Sequence, residues 1–115
     1  MSLRHYFRRP PSVTAAEAMV LIAEGGLIVD VRSHAEHRRD WVPGSIRIPL
    51  VELTARADEL PDDRVLIVFC TGGLVSAGAS NLLIELGIDA VNLAGGLIGW
   101  RAAGGPLAQA ERGTG

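Results

Sequence analysis

No lysine occurs among the 115 residues; all 11 basic residues are arginine. That absence removes Schiff-base chemistry on a lysine amine and the lysine of a phosphate-cradling loop. Cysteine is nearly as scarce: Cys70 stands alone, which excludes an internal disulfide and a multi-thiolate zinc site. The histidines, at positions 5, 34 and 37, have no metal-ligand spacing with it, so neither a metal nor a cofactor is expected. Long apolar runs are missing as well. Ala18 to Ala23 is flanked by Glu17 and Glu24, far short of the roughly 20 residues that cross a bilayer and unlike a secretory leader. No membrane partner is expected, and a reducing cytoplasm is the expected compartment. Nor is there a marked excess of either charge. A net charge of −2 with 21% charged residues gives no polyanion-binding surface, and nucleic acid is not expected as a partner.

What is present is apolar: 48% hydrophobic residues in a chain of this length bury one core and make one domain. Residues 1–13, with Arg4, Arg8, Arg9 and Pro10-Pro11, read as an extended N-terminal arm. Thr14 and Glu17 form a capping box, after which Ala16, Met19, Val20 and Ala23 follow helical spacing up to Gly25-Gly26. Leu27 to Val31, Val65 to Phe69 and Ala90 to Leu93 are short, apolar and β-branched, as strands covered on both faces are. Between the first two lie a polar segment, a Pro43-Gly44 turn, a short strand at Ile46 to Ile48 and a helix presenting Leu53, Ala57 and Leu60. A further helix carries Ala79, Leu82, Leu83 and Leu86 and ends at Gly87. This alternation predicts an α/β domain over residues 14–106, with a central parallel sheet of four or five strands flanked by helices on both faces. The chain turns glycine-rich from residue 104, and residues 107–115 read as a flexible tail.

In a parallel sheet the strand carboxyl ends share one edge, where ligands bind. Asp30 and Arg32, Cys70, and Gly95-Gly96 all fall there. Cys70 is followed by Thr71-Gly72-Gly73-Leu74-Val75 and by a helix expected to begin near Ser76. Such a turn points backbone N–H groups into one concavity, to which a helix N-terminus adds positive potential. A free thiol of pKa about 8.5 is only about 3% ionised at pH 7, and a shift of about two units, roughly 2.7 kcal/mol, makes most of it thiolate. The plainer alternative is a buried thiol that merely ends a core strand. Its place after the strand, with two glycines beside it, favours a nucleophile.

Asp30-Val31-Arg32, Glu36, Pro43-Gly44 with Ile48-Pro49, Val68-Phe69-Cys70 with its loop and Ser76, and Gly95-Gly96 with Trp100 resemble the single-domain rhodaneses, or sulfurtransferases. The resemblance runs from about Thr14 to Pro106. It implies a rhodanese-like fold and a catalytic Cys70 that takes up sulfane sulfur as a persulfide and passes it to cyanide or a thiol. Thr71, Gly72, Gly73, Leu74, Val75 and Ser76 would be the substrate-binding loop, with Asp30 and Arg32 supporting it. The implied partners are a small-molecule or protein sulfur donor and a thiol acceptor. Many members close the loop with an arginine; here that position is Val75, so weak use of thiosulfate is expected.

A Cys-dependent phosphatase would need arginine at position 76, which is Ser76. A non-catalytic binding or regulatory module of the same fold is the alternative to an enzyme. The resemblance implies that Asp30 orients the loop; capping the strand end is its simpler role. Arg32 is expected to pair with a carboxylate such as Glu36 or to steer an anionic donor. His34 and His37 are expected to be solvated, Trp100 to anchor the last helix, and Trp41 to sit by the cleft or in the core.

Overall fold

The computed structural model describes residues 11–110; residues 1–10 of the expected arm and 111–115 of the expected tail lie outside them. Strand β1 is Ser12–Val13, and helix α1 is Ala15–Ala23. Thr14 and Glu17 close the capping box that starts α1, Thr14 Oγ1 accepting the Glu17 N–H at 3.1 Å and Glu17 Oε1 the Thr14 N–H at 2.9 Å. Strand β2, Leu27–Asp30, leads to α2, His34–Arg39, which begins with a second capping box between Ser33 and Glu36. Strands β3, Asp40–Trp41, and β4, Ile46–Arg47, flank the Pro43-Gly44 turn. The helix expected next is broken into 3-10 turns at Leu50–Glu52 and Ala57–Glu59 around a short α3, Leu53–Arg56. Strand β5, Leu66–Phe69, α4, Leu74–Glu85, β6, Ala90–Leu93, α5, Gly96–Ala102, and β7, Ala108–Gln109, complete the order. Among the described residues no helix is long and apolar enough to cross a membrane.

The main sheet has the order β1-β6-β5-β2-β4 with every pair parallel. Alternation along its strands feeds two cores. Val29, Leu66, Val68 and Ala90 meet α3 and α4 through Leu53, Ala79 and Leu83. Ile28, Ile67, Phe69 and Leu93 meet α1 and α5 through Ala18, Leu97 and Trp100. Because β2 and β5 are paired with Asp30 opposite Phe69, Asp30, Arg32 and Cys70 emerge together at the carboxyl edge.

Both ends of the domain extend past the boundaries read from sequence. Ser12–Val13, assigned to the arm, pair with β6 as the sheet's edge strand. Residues 107–110, assigned to the flexible tail, are tied down: β7 pairs antiparallel with β3, Trp41 opposite Ala108, and Leu107 packs on the α1/α5 core. A strand of two residues has no alternation to read. The physical anchor is Trp100, buried as expected, whose Nε1 donates to the Pro106 carbonyl at 2.8 Å. Gly105 lies against the indole so closely that a Cβ there would overlap it.

Candidate active site

Cys70 follows β5 directly and is 7% exposed, its side chain on the α4 face of the sheet. Thr71, Gly72 and Gly73 turn the chain, and Gly73, at φ +92, caps α4. That left-handed backbone is the conformation glycine adopts without a Cβ penalty. Helix α4 therefore starts at Leu74, two residues before the position expected from sequence, and Leu74, Val75 and Ser76 are its first turn rather than loop. The consequence is chemical. First-turn N–H groups have no partner within their own helix, and here they face sulfur: the Gly73 N–H donates to Sγ at 3.1 Å and the Ser76 N–H at 3.4 Å. Burial pushes the thiol up, but the Ser76 hydroxyl and the amides of Ser76, Gly73 and Gly72 outweigh it, so Cys70 ionises below the ordinary thiol range.

The turn keeps this shape because its carbonyls are bound on the opposite side. The Leu97 N–H donates to the Cys70 carbonyl at 2.9 Å and the Ile98 N–H to the Thr71 carbonyl at 3.1 Å. Only a residue without a side chain fits where α5 begins: a Cβ on Gly96, at φ +54, would overlap the Cys70 and Thr71 carbonyls and the Gly73 nitrogen. Glu36 makes a second clamp. One of its carboxylate oxygens closes the α2 capping box with Ser33, and the other accepts the Thr71 hydroxyl at 2.9 Å. Burial pushes its carboxyl up, but Thr71, Ser33 and Arg32 outweigh that and hold it low.

Asp30 is fully buried and accepts the Arg32 N–H and the Arg32 Nη2, both at 2.9 Å. His37 Nδ1 lies 2.8 Å from the same carboxylate. Among the described residues, no loop amide donates to Asp30, so the part of the turn it touches is Arg32, not the Cys70 loop. Arg32 pairs with Asp30 and with Asp40, at 2.8 Å, rather than with Glu36, and its guanidinium lies 5.6 Å from the centre of the Phe69 ring. Asp40, at the start of β3, accepts Arg32 through Oδ1 and through its carbonyl, and Arg101 Nη2 through Oδ2 at 2.6 Å. His34 is exposed and pairs with Glu52 at 3.0 Å. His37 departs from the expected solvated state: its ring is largely buried and stacks on Trp41, centroids 6.0 Å apart.

The thiol faces a cleft of about 390 Å³ walled by Leu50, Val51, Leu74, Val75, Glu36 and Arg32. Its rim is apolar, with Val51 92% and Leu74 83% exposed. Its cation, Arg32, is already held by two carboxylates. A wider groove of about 940 Å³, lined by Ile98, Arg39 and Arg101, shares Arg32, Glu36 and Thr71 with it.

A parallel sheet that delivers one thiol from a central strand to the main-chain amides of Gly73 and Ser76 defines an α/β protein with a cysteine at the sheet's carboxyl edge. Residues 14–103 match the family model of the rhodanese-like domain. The chain belongs to that family. A rhodanese-related protein of Thermoplasma volcanium superposes with a TM-score of 0.80 at 32% identity, covering 85% of this chain and 97% of that one. A sulfurtransferase of Allochromatium vinosum is 34% identical over 89 residues, 76% of this chain and 83% of that protein. An HTH-type transcriptional regulator of Mycobacterium tuberculosis is 33% identical over 99 residues, 84% of this chain; the chain spans only 44% of that protein's length.

Three contacts escaped the sequence: the Thr71 bond to Glu36, the α5 amides on the loop carbonyls, and a bond between Ser76 and Asn92. Ser33-x-x-Glu36 repeats the Thr14-x-x-Glu17 pattern, so the box was legible, but not the use of its second oxygen. Asn92, a polar residue within an apolar strand, was the visible sign of the third.

Proposed function

We propose that this chain is a sulfurtransferase in which Cys70 carries sulfane sulfur. The observation that carries the reading is the pair of amides, Gly73 and Ser76, donating to one sulfur at the open end of a cleft. The sulfurtransferase name of a relative that this chain covers over most of its length supports it. In the first half-reaction the Cys70 thiolate attacks the outer sulfur of a donor persulfide. The donor's S–S bond breaks, the electron pair leaves on the donor thiolate, and a Cys70 persulfide forms. In the second, a thiolate or cyanide attacks the terminal sulfur and the Cys70 thiolate is released. No net electron is gained or lost, and one nucleophile suffices. The persulfide is anionic at neutral pH, and the same N–H donors stabilise its terminal sulfur.

Intact-mass measurement tests this reading. Incubation with a small-molecule persulfide donor should add one sulfur to the wild-type chain and none to Cys70→Ala. No adduct on the wild type, from that donor or from thiosulfate, would assign the domain to binding instead.

The donor class follows from the rim. An apolar mouth, a neutralised arginine and the Glu36 carboxylate leave a doubly charged donor no unpaired side-chain cation in this cleft, whereas a persulfide on a small thiol or on a protein needs none. Val75→Arg places a cation at the cleft edge. A charge-assisted, bidentate partner is expected to lower the KM for thiosulfate by about tenfold or more. An unchanged KM in steady-state cyanide assays would show that the missing arginine is not what limits thiosulfate.

A further inference from the structure

We propose that the groove between α2 and α5 holds the body of the thiol that exchanges sulfur with Cys70, and that it selects a thiol whose carboxylate, about three residues from its sulfur, pairs with Arg39. The inference rests on the sulfur-transfer reading of the site and adds a substrate class to it. The cleft before the sulfur opens beside this groove of about 940 Å³, and Arg32, Glu36 and Thr71 line both. A groove of that size takes the body of a ligand, not only its reacting atom. Long-range bonds fix its shape. Where it meets the cleft, the Thr71 hydroxyl donates to Glu36 at 2.9 Å. Arg101, on α5, donates to Asp40, at the start of β3. Away from the cleft, the Ala110 N–H, just past β7, donates to the Arg39 carbonyl at 3.0 Å. Ile98, 64% exposed, gives the groove an apolar wall.

The charges along the groove are not equivalent. Arg32 is held by Asp30 and Asp40, and Arg101 by Asp40. Glu36 keeps its carboxylate against Thr71, so a second carboxylate close to the reacting sulfur is repelled. Arg39 is different. It lines the groove and is exposed, and among the described residues no carboxylate pairs with it. It follows Glu36 by three positions on α2, which sets the two Cβ atoms about 5–6 Å apart on one face. Outward from Cys70, Thr71 is the next residue, Glu36 touches Thr71, and Arg39 comes almost a turn later. A carboxylate on Arg39 is therefore roughly 10 Å from the sulfur, about three residues of extended chain. Arg38, exposed at the same helix end, lines neither cavity. Favourable charge at a helix C-terminus accounts for either arginine, but only Arg39 faces a ligand-sized space.

The experiment follows Cys70 of the full chain reacting with mixed pyridyl disulfides. The Cys70 thiolate bonds to the aliphatic sulfur of the probe, the probe's S–S bond breaks, and pyridinethione leaves with the electron pair and is read by its absorbance. Probes come in matched pairs, a free carboxylate against its amide: N-acetylcysteinyl-triglycine for the long reach and mercaptopropionate for the short one. At low salt the long acid should react about two- to fivefold faster than its amide. The short acid should react more slowly than its amide, because it reaches Glu36 and not Arg39. Arg39→Ala should bring the long pair to a ratio of one or below, and Arg39→Glu should invert it, with amide rates and iodoacetamide alkylation unchanged in both. Arg38→Ala removes the same charge from the same helix end and should keep the wild-type ratio. The proposal is overturned by a wild-type ratio of one or less for the long pair, by a ratio that survives Arg39→Ala, by an equal loss in Arg38→Ala, or by a short acid that gains as much as the long one. Disulfide exchange needs only the thiol, so a chain that takes up no sulfur would defeat the transferase reading and leave this measurement standing.

Discussion

Gly96→Ala should destabilise the protein by about 3 kcal/mol or more and move the ionisation of Cys70 up toward the ordinary thiol range. Two costs combine. Position 96 has φ +54, a left-handed conformation that costs a residue with a Cβ roughly 1–2 kcal/mol. The added Cβ would also overlap the Cys70 carbonyl, the Thr71 carbonyl and the Gly73 nitrogen, all backbone atoms that cannot rotate aside. Relief requires α5 and the turn to separate. Separation breaks the bonds from Leu97 and Ile98 that hold the loop carbonyls outward, and the amides that face sulfur lose their aim. Gly95→Ala is the control: φ there is +77, but the nearest atom to a Cβ is 3.4 Å away, so only the backbone strain applies. Urea unfolding and iodoacetamide alkylation of both variants measure the difference. Equal, small losses at the two positions would mean that the close seat of α5 against the loop is not needed.

Asp30→Ala should cost about 3–5 kcal/mol, because removing one partner of a buried ion pair leaves the other uncompensated. Arg32 is almost as buried as Asp30 and would keep only Asp40, while His37 would lose its carboxylate. The damage falls at the edge of the sheet where β2, β4 and the Cys70 turn meet, since β2 pairs with both β4 and β5. The surface pairs of Arg56 with Glu52 and Glu59 are screened by water, and Arg56→Ala should be nearly silent by comparison. Thermal unfolding of the two variants side by side tests this, and a silent Asp30→Ala would remove the cluster from the list of what holds the edge together.

The strongly patterned parts of the chain were legible. Leu27–Asp30, Leu66–Phe69 and Ala90–Leu93 stand out because strands covered on both faces are apolar without interruption. The Cys70 turn stood out for its glycines. Elements that rest on long-range pairing did not stand out: β1 and β7 are two residues each and exist only because β6 and β3 pair with them. Arg32 was readable as an ion-pair residue, but its partner was not, since Glu36 is four residues away in sequence while Asp40 is brought in by the bend after α2. Helix α4 starts two residues before the position the sequence predicts because Gly73 caps it through backbone conformation alone, with no side-chain cap for the sequence to reveal. That small shift decides which amides face sulfur.

The most direct measurement follows thiolate absorbance of Cys70 with pH, in the native chain and in the same chain unfolded in urea. With a single cysteine, the part of the signal that disappears in Cys70→Ala belongs to that thiol, which separates it from the phenolate of Tyr6. The native midpoint should lie below the unfolded one, since the amides of Ser76, Gly73 and Gly72 and the Ser76 hydroxyl outweigh burial. Linkage makes a second reading of the same fact: stability should rise as pH increases from the native midpoint to the unfolded one, stay high above it, and lose that rise in Cys70→Ala. A native midpoint at or above the unfolded value, with no Cys70-dependent gain in stability, would mean that burial wins and that the amide cradle does not hold an anion.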